Sequence, residues 1–399
     1  MKQILIIGAG FGGVWSALSA ARLLDMHDCN DVAITVLAPQ AELRIRPRFY
    51  EADVHKMFAP LDELFEAVGV RFVKGTAMAI DEQGRAVTYM DGANQKATLT
   101  YDRLVLAAGS QLMRPNVEGL SRYAFDVDQI ESASFLENHL KALKDQPYSV
   151  ARNTVVVAGG GFTGIETATE MPARLRSVLG YDHDIRVIVV DRAPQIAASQ
   201  GAGIQPSIID ASEHLGIEWV LDTSVTSVDA GGVMLADGSR IEASTVIWTV
   251  GFRASALTEQ LTSVRDAQGR LHVDNNLKVF GQDVIYAAGD VAYAATDDLG
   301  NFAAMSCQHA IALGRHAGNN VAADLLGIAP TPYRQPKYVT CLDLGAWGAV
   351  FTEGWDRQLK LVKQEAKELK TLINTVWIYP PVADRAKALA AADPAIPVA

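Results

Sequence analysis

The chain has 399 residues, 49% of them hydrophobic, and a formal net charge of −11. Such a length suggests about two to three domains, each apolar enough for a full core, and the negative balance excludes nucleic acid as a general partner, since a phosphate backbone is bound by a basic face. No apolar run approaches the ~20 residues of a spanning helix, and Met1 leads into a strand pattern without a basic segment or cleavage site, so the cytoplasm is the expected compartment.

The opening stretch ILIIGAGFGG (Ile4–Gly13) is an aliphatic run followed by Gly8, Gly10, Gly12 and Gly13, and a helical pattern over Val14–Leu24 comes next. Strand, tight turn and helix start in that order make a dinucleotide site. Gly8 lets the chain turn, Gly10 lets the backbone approach a pyrophosphate, Gly13 lets the helix pack on the strand, and the helix N-terminus attracts phosphate. Val32–Leu37 reads as the second parallel strand, with Ala38 where an acid ordinarily holds the adenosine ribose. Leu43–Glu51 (LRIRPRFYE) is expected to be a polar, arginine-rich loop. Asp62–Val73 reads as a helix leading into a strand, and Gly75–Ala79, Ala86–Tyr89 and Ala97–Thr100 as hairpin strands. In YDRLVLAAGS (Tyr101–Ser110) the apolar LVLAA is a buried strand ending at Gly109.

Ser121–Lys144 is a charged helical connection, and then the opening pattern returns. TVVVA (Thr154–Ala158) feeds GGGFTGIETATE, with Gly159, Gly161 and Gly164, and a helix carrying Glu166 and Glu170. Recurrence in the same strand and helix context makes chance a poor explanation. The strand Ile185–Val190 ends in Asp191, whose carboxylate accepts a hydrogen bond from a ribose 2′-hydroxyl and repels a 2′-phosphate. The second unit is therefore expected to take NADH, although the neighbouring Arg192 is a residue type that pairs with a 2′-phosphate. Val225–Val228, Val233–Leu235 and Thr245–Trp248 close this unit at Gly251 in IWTVGF. VIYAAGD (Val284–Asp290), which contains Gly289, delivers Asp290 to the carboxyl end of a buried strand, where ligands of open α/β sheets bind. Capping the following helix is the other reading of that aspartate. Met305–Leu326 is a long helical pattern with Gln308 near its start.

Between Gly354 and Pro380, Leu359, Val362, Ala366, Leu369, Ile373 and Val376 recur at alternating spacings of three and four, with Lys360, Lys363, Lys367 and Lys370 one position on. The pattern predicts an amphipathic helix with an apolar stripe flanked by lysines. It suits a membrane interface, through residues 355–379, or packing against the protein's own core or a second copy of the chain. Pro380 and Pro381 end it, and the Ala/Pro-rich remainder is expected to be mobile. Cys29, Cys307 and Cys341, scattered and odd in number, make neither a disulfide framework nor a CxxC metal site, and no metal is expected.

Taken together, GAGFGG, YDRLVLAAGS, GGGFTGIE, VIWTVGF and VIYAAGD resemble the motifs of FAD-dependent pyridine-nucleotide oxidoreductases, and most of all type II NADH dehydrogenases, over roughly Lys2–Gly327. The resemblance implies an α/β fold of two Rossmann-like dinucleotide-binding domains, the second inserted in the first. It divides the chain into an FAD-binding domain (1–115 and 269–330), an NADH-binding domain (116–268) and a C-terminal region (331–399). It implies that Gly8, Gly10 and Gly13 approach the FAD pyrophosphate, Asp290 the ribityl chain, Gln308 the flavin ring and Glu166 the nicotinamide end of the cleft. The activity it implies is hydride transfer from NADH to FAD and onward electron transfer to a quinone or other small acceptor, in the cytoplasm or peripherally on the inner face of the cell membrane. Three positions depart from the pattern: Ala38 for the ribose acid, Phe162 where proline is common, and Leu344 where a lysine is expected near the quinone. YVTCLDLGAWGAVF (Tyr338–Phe351) is similar to the corresponding part of sulfide:quinone oxidoreductases, with Cys341 as one sulfur-handling residue, but Thr163 and Gly164 stand where its partner is expected. Sulfide- or thiol-linked chemistry is thus one alternative, and an NADH-binding flavoprotein that acts as a redox sensor is another.

Overall fold

The computed structural model describes residues 1–181 and 184–398. Its largest sheet has seven strands in the order Ile285–Ala287, Arg103–Leu106, Lys2–Ile7, Val32–Ala38, Arg71–Asp81, Ala86–Asp91 and Lys96–Thr100. The first five are parallel and the last two form an antiparallel meander. The central strands are almost wholly buried, with Ile4, Ile6, Val36, Leu104 and Leu106 at 0% exposure, as continuous apolar runs covered on both faces should be. Ile285–Ala287 joins this sheet although it follows the second glycine unit in sequence, so the chain leaves the sheet and returns to it.

A second, all-parallel sheet runs Ile217–Val220, Arg186–Val190, Thr154–Ala158 and Thr245–Trp248. The helix Cys307–Leu326 lies along the helix Phe11–Met26, and glycines set their distance: a Cβ on Gly314 or Gly318 would overlap the backbone of Gly12 or Ser16.

Past residue 330 the predicted amphipathic helix is corrected. Val339–Asp343, Ala349–Glu353 and Gln358–Val362 form a three-stranded antiparallel sheet, so Leu359, Lys360 and Val362 are strand residues and the helix begins only at Lys363. It runs to Leu372 and continues as one wider π-type turn, Ile373–Trp377. Its buried face is Ala366, Lys370 and Asn374, spaced by four, whereas Leu359, Val362 and Val376 are exposed. The expected stripe failed because helical spacing runs through a strand and because a lysine and an asparagine face inward beside Ala366.

The expected mobile tail is also corrected. Arg385–Ala391 is a helix whose N-cap, Asp384, accepts from the Lys387 amide at 2.9 Å. Ala388 and Ala392 are fully buried, and ion pairs Arg385–Asp25 (2.7 Å) and Arg22–Asp393 (2.5 Å) hold the segment to the helix Phe11–Met26. Alanines bury through close backbone approach, which an apolar-run reading does not register. The arginine-rich segment 43–51 is likewise no simple polar loop: Leu43, Ile45, Phe49 and Tyr50 are buried.

Candidate active site

The two glycine turns have the same construction. Gly8 (φ +110°) and Gly159 (φ +107°) make the left-handed bend, and each donates its amide to the neighbouring parallel strand, at Leu37 O and Val190 O, both 2.9 Å. A Cβ on Gly13 would overlap Gly8 O, and one on Gly164 would overlap Gly159 O. The helices Phe11–Met26 and Phe162–Leu179 start at Gly10 (φ −74°, ψ −172°) and Gly161 (φ −75°, ψ −177°), without a side-chain cap or an acid in the first turn. A Cβ on either glycine would meet no atom within 4 Å. Both helix N-termini thus offer backbone N–H groups and a positive dipole end in open space, which suits a pyrophosphate. Gly12 lies beside Ala288, at the end of the returning strand. Gly109, Gly251 and Gly289 all adopt positive φ at strand ends.

Asp290 sits just after the strand Ile285–Ala287, where its Oδ2 accepts from Ser110 Oγ at 2.6 Å and from Arg46 Nη1 at 3.4 Å. Arg46 also donates to Ser110 Oγ (2.9 Å) and pairs with the buried Asp128, and its guanidinium lies over the Phe252 ring. Arg46 was not singled out from the sequence, because an arginine inside RIRPR has no local mark of its long-range partners. In the second unit, the Asp191 carboxylate accepts amides from Gly160 and, at 2.8 Å, from Ala193. It ties the end of its strand to the glycine turn, while Arg192 is exposed.

Glu166 is buried on the helix Phe162–Leu179. Its Oε1 accepts from Lys370 Nζ at 2.7 Å and from the Asp343 amide at 3.1 Å. Lys370 Nζ donates again to Cys341 O at 2.9 Å and lies 5.8 Å from the centre of the Phe162 ring, a cation–π distance that gives the departure from proline a physical use. Burial pushes the Glu166 carboxyl up to about 7 against the pull of Lys370. Burial alone would lower the Lys370 ammonium, but Glu166 and its neighbours outweigh it and hold it above its ordinary value. Glu166 is therefore not a solvated acid favoured by the helix dipole. Leu344 is fully buried in an apolar cluster with Ile165, Ile204 and Leu342. The sequence pattern places Lys370 only among the lysines that flank the stripe; the only sequence signal of its burial is its spacing of four from Ala366 and Asn374.

The two groups of residues converge on the start of the helix Cys307–Leu326. Ser306 caps it, accepting from His309 N at 3.4 Å, and Gln308 is its second residue. Burial pushes the Cys307 thiol up to about 11, and the charges of both Lys370 and Asp290 act on it. Burial pushes the Cys341 thiol up to about 12. Both are neutral thiols near pH 7, poor nucleophiles by comparison with a thiolate.

Two glycine turns of the same construction, each opening a helix N-terminus, suit a protein that binds two dinucleotides. Residues 2–314 match the family described as pyridine nucleotide-disulphide oxidoreductase, and the chain belongs to that family, as an FAD-dependent enzyme of the NADH dehydrogenase kind. It is 43% identical over 401 residues to an NADH dehydrogenase-like protein of Mycobacterium tuberculosis, covering 99% of each chain. It is 30% identical over 359 residues to a demethylphylloquinone reductase of Synechocystis, covering 88% of this chain and 86% of the relative. In three dimensions it is similar to NDH2 of Plasmodium falciparum in complex with NADH, with a TM-score of 0.77 at 14% identity, covering 98% and 97% of the two chains.

Proposed function

We propose that the protein passes a hydride from NADH to FAD and the electrons onward to a quinone. The observation that carries this reading is the buried Glu166–Lys370 pair, which joins the second glycine helix to the C-terminal region beside Cys307 and Gln308. A quinone needs protons as well as electrons, and a carboxyl held near pH 7 beside an ammonium is a fitting source. The relatives named for NADH dehydrogenase and quinone reductase activity support the same reading.

FAD, when bound, supplies the redox chemistry. The Gly8–Gly13 turn would hold its pyrophosphate, and Asp290, oriented by Ser110 and Arg46, would accept from its ribityl hydroxyls. Gln308 would contact the flavin ring, and the N-terminus of its helix would favour negative charge there. Gly159, Gly161 and Gly164 would take the NADH pyrophosphate, Asp191 its ribose, and Glu166 its nicotinamide end. Neutral thiols, Cys307 half-buried and Cys341 buried, give no support to sulfur chemistry.

Stopped-flow mixing tests the reading. NADH should bleach the flavin and a quinone should restore it. NADH should be preferred to NADPH by on the order of 1–3 kcal/mol through Asp191. Equal use of both coenzymes defeats the role of Asp191, and a reduced flavin that persists in the presence of quinones favours a sensor instead.

Among the described residues no helix is long and apolar enough to cross a membrane. Leu359, Val362, Leu372, Val376, Trp377 and Val382 are nevertheless exposed on the C-terminal region. Exposed aromatic and aliphatic side chains beside lysines suit a peripheral contact with lipid, from which a quinone would enter. The intact protein should float with anionic liposomes, and replacing Val376 and Trp377 with serine should weaken flotation severalfold. Flotation unchanged by that double substitution rules out this surface.

A further inference from the structure

Two short strands join the two large sheets. Ser110–Leu112 follows the strand Arg103–Leu106 of the seven-stranded sheet, and Phe252–Ala254 follows Thr245–Trp248 of the four-stranded one. They pair antiparallel, with Ser110 opposite Ala254 and Leu112 opposite Phe252. Backbone bonds from Ser255 N to Gly109 O at 2.9 Å and from Met113 N to Gly251 O at 3.0 Å extend this ribbon at both ends. One side chain from outside, Arg46, holds both of its strands. Its Nη1 donates to Ser110 Oγ at 2.9 Å, and its guanidinium carbon lies 4.8 Å from the centre of the Phe252 ring. Its Nη2 pairs with Asp128 Oδ1, while Asp128 Oδ2 accepts from Leu112 N at 3.2 Å. Asp128 comes three residues after Phe125, whose amide donates to Val246 O and whose carbonyl accepts from Trp248 N, both at 2.8 Å, so this acid is anchored to the four-stranded sheet. Arg46 Nη1 also reaches Asp290 Oδ2 at 3.4 Å, the oxygen that accepts from Ser110 Oγ at 2.6 Å. A single cation thus stands between the acid of the returning strand and an acid of the other sheet.

We propose that Arg46 is a positioning residue for hydride transfer, coupling the flavin's ribityl site at Asp290 to the ribbon that sets one dinucleotide unit against the other. The inference rests on the reading of Asp290 as the acceptor for the ribityl hydroxyls. A guanidinium suits this place because its donors lie in one rigid plane: Nη1 serves Asp290 and Ser110, Nη2 serves Asp128, and the face is left for Phe252. A lysine ammonium has no such fork. Side-chain exposure is 28% for Arg46, 16% for Asp290 and 7% for Asp128, so both ion pairs are partly shielded from water and salt. A nicotinamide held by the second unit has to meet a flavin held by the first, and a misplacement of about 1 Å can cost about a hundredfold in rate. The coupling is reciprocal: whatever flavin binding does to the ribbon through Arg46, the ribbon does to flavin binding. Asp128 reaches Asp290 through Arg46, so a change at Asp128 tests the connection from its far end.

The test measures two quantities on the full-length chain: its affinity for FAD, by flavin fluorescence, and the limiting rate at which saturating NADH reduces the bound flavin. Asp128→Asn removes the charge and keeps an oxygen for Leu112 N. It should weaken FAD binding by about fivefold or more, the scale of coupling between linked sites, and slow reduction by NADH by a similar factor. Reduction by dithionite, which needs no nicotinamide site, should keep its wild-type rate. Arg46→Gln should lose at least as much in both quantities, and adding Asp128→Asn to it should cost nothing further. Should Asp128→Asn not fold, Phe252→Leu, which removes the ring beneath the guanidinium, takes its place with the same expected losses. Additive losses in the double variant overturn the coupling, as does an equal slowing of dithionite. Wild-type affinity and rate in Asp128→Asn, with FAD weakened in Asp290→Ala, overturn the coupling alone. Wild-type FAD affinity in Asp290→Ala overturns the reading of Asp290, and the coupling with it.

Discussion

Replacing Gly10 with valine should give a folded protein that has lost its flavin. The backbone at Gly10 has φ −74° and ψ −172°, extended values open to any residue, and a Cβ there meets no atom within 4 Å. Folding has little to lose at this position. The branched side chain would project into the space before the helix N-terminus, where a pyrophosphate would bind to backbone N–H groups. FAD affinity should fall by about two orders of magnitude, roughly 2.7 kcal/mol. Apo forms of variant and wild type should melt together, whereas only the wild type should gain stability on adding FAD. Gly13→Ala provides the contrast. Its Cβ would overlap Gly8 O, so this smaller change should lower the melting temperature even without FAD. A yellow Gly10→Val protein with wild-type FAD affinity would place the pyrophosphate elsewhere.

The second large effect is expected at the Glu166–Lys370 pair. Lys370→Met leaves a carboxyl buried without its cation, and such single removals cost about 3–5 kcal/mol when the remaining group stays charged. The folded carboxyl already lies at about 7, above its ordinary value of 4.5, so the folded chain binds this proton more tightly than the unfolded chain. Its contribution to stability is full below about 4.5 and is lost as pH rises through about 7. Without Lys370 the carboxyl should hold its proton to still higher pH. The stability deficit of Lys370→Met should therefore be small in acid and grow above neutrality. Glu166→Gln combined with Lys370→Met removes both charges and should recover part of the loss. Thermal or urea unfolding across this pH range measures each outcome. A deficit independent of pH, or additive losses in the double variant, would show that the two residues are not coupled. On the quinone reading, Glu166→Gln should also abolish any inflection near neutrality in the pH profile of quinone reduction.

Much of the fold was legible because it is written in local pattern. An aliphatic run before Gly8, Gly10 and Gly13, repeated before Gly159, Gly161 and Gly164, prescribes strand, turn and helix from backbone requirements alone: a left-handed bend and contacts too close for a Cβ. Apolar runs such as LVLAA and TVVVA mark strands covered on both faces for the same local reason. These features determined the α/β class and the two nucleotide units, and they placed Asp191 and Asp290 at strand ends.

The tertiary structure alone decided which charges are buried and with whom. Lys370 lies 204 residues from Glu166, and Arg46 lies 244 from Asp290. A lysine among lysines carries no mark of its partner, because the free energy that tolerates its burial comes from a carboxylate brought close only by folding. The same limit hid the C-terminal elements. A three-and-four spacing at Leu359–Val376 is compatible with a helix in isolation, but backbone pairing with Ala349–Glu353 takes Gln358–Val362 into a sheet. The alanines of Arg385–Ala391 acquire their value as a packing face only against the helix Phe11–Met26. Sequence determined where backbone geometry is demanded; folding decided where opposite charges meet out of water.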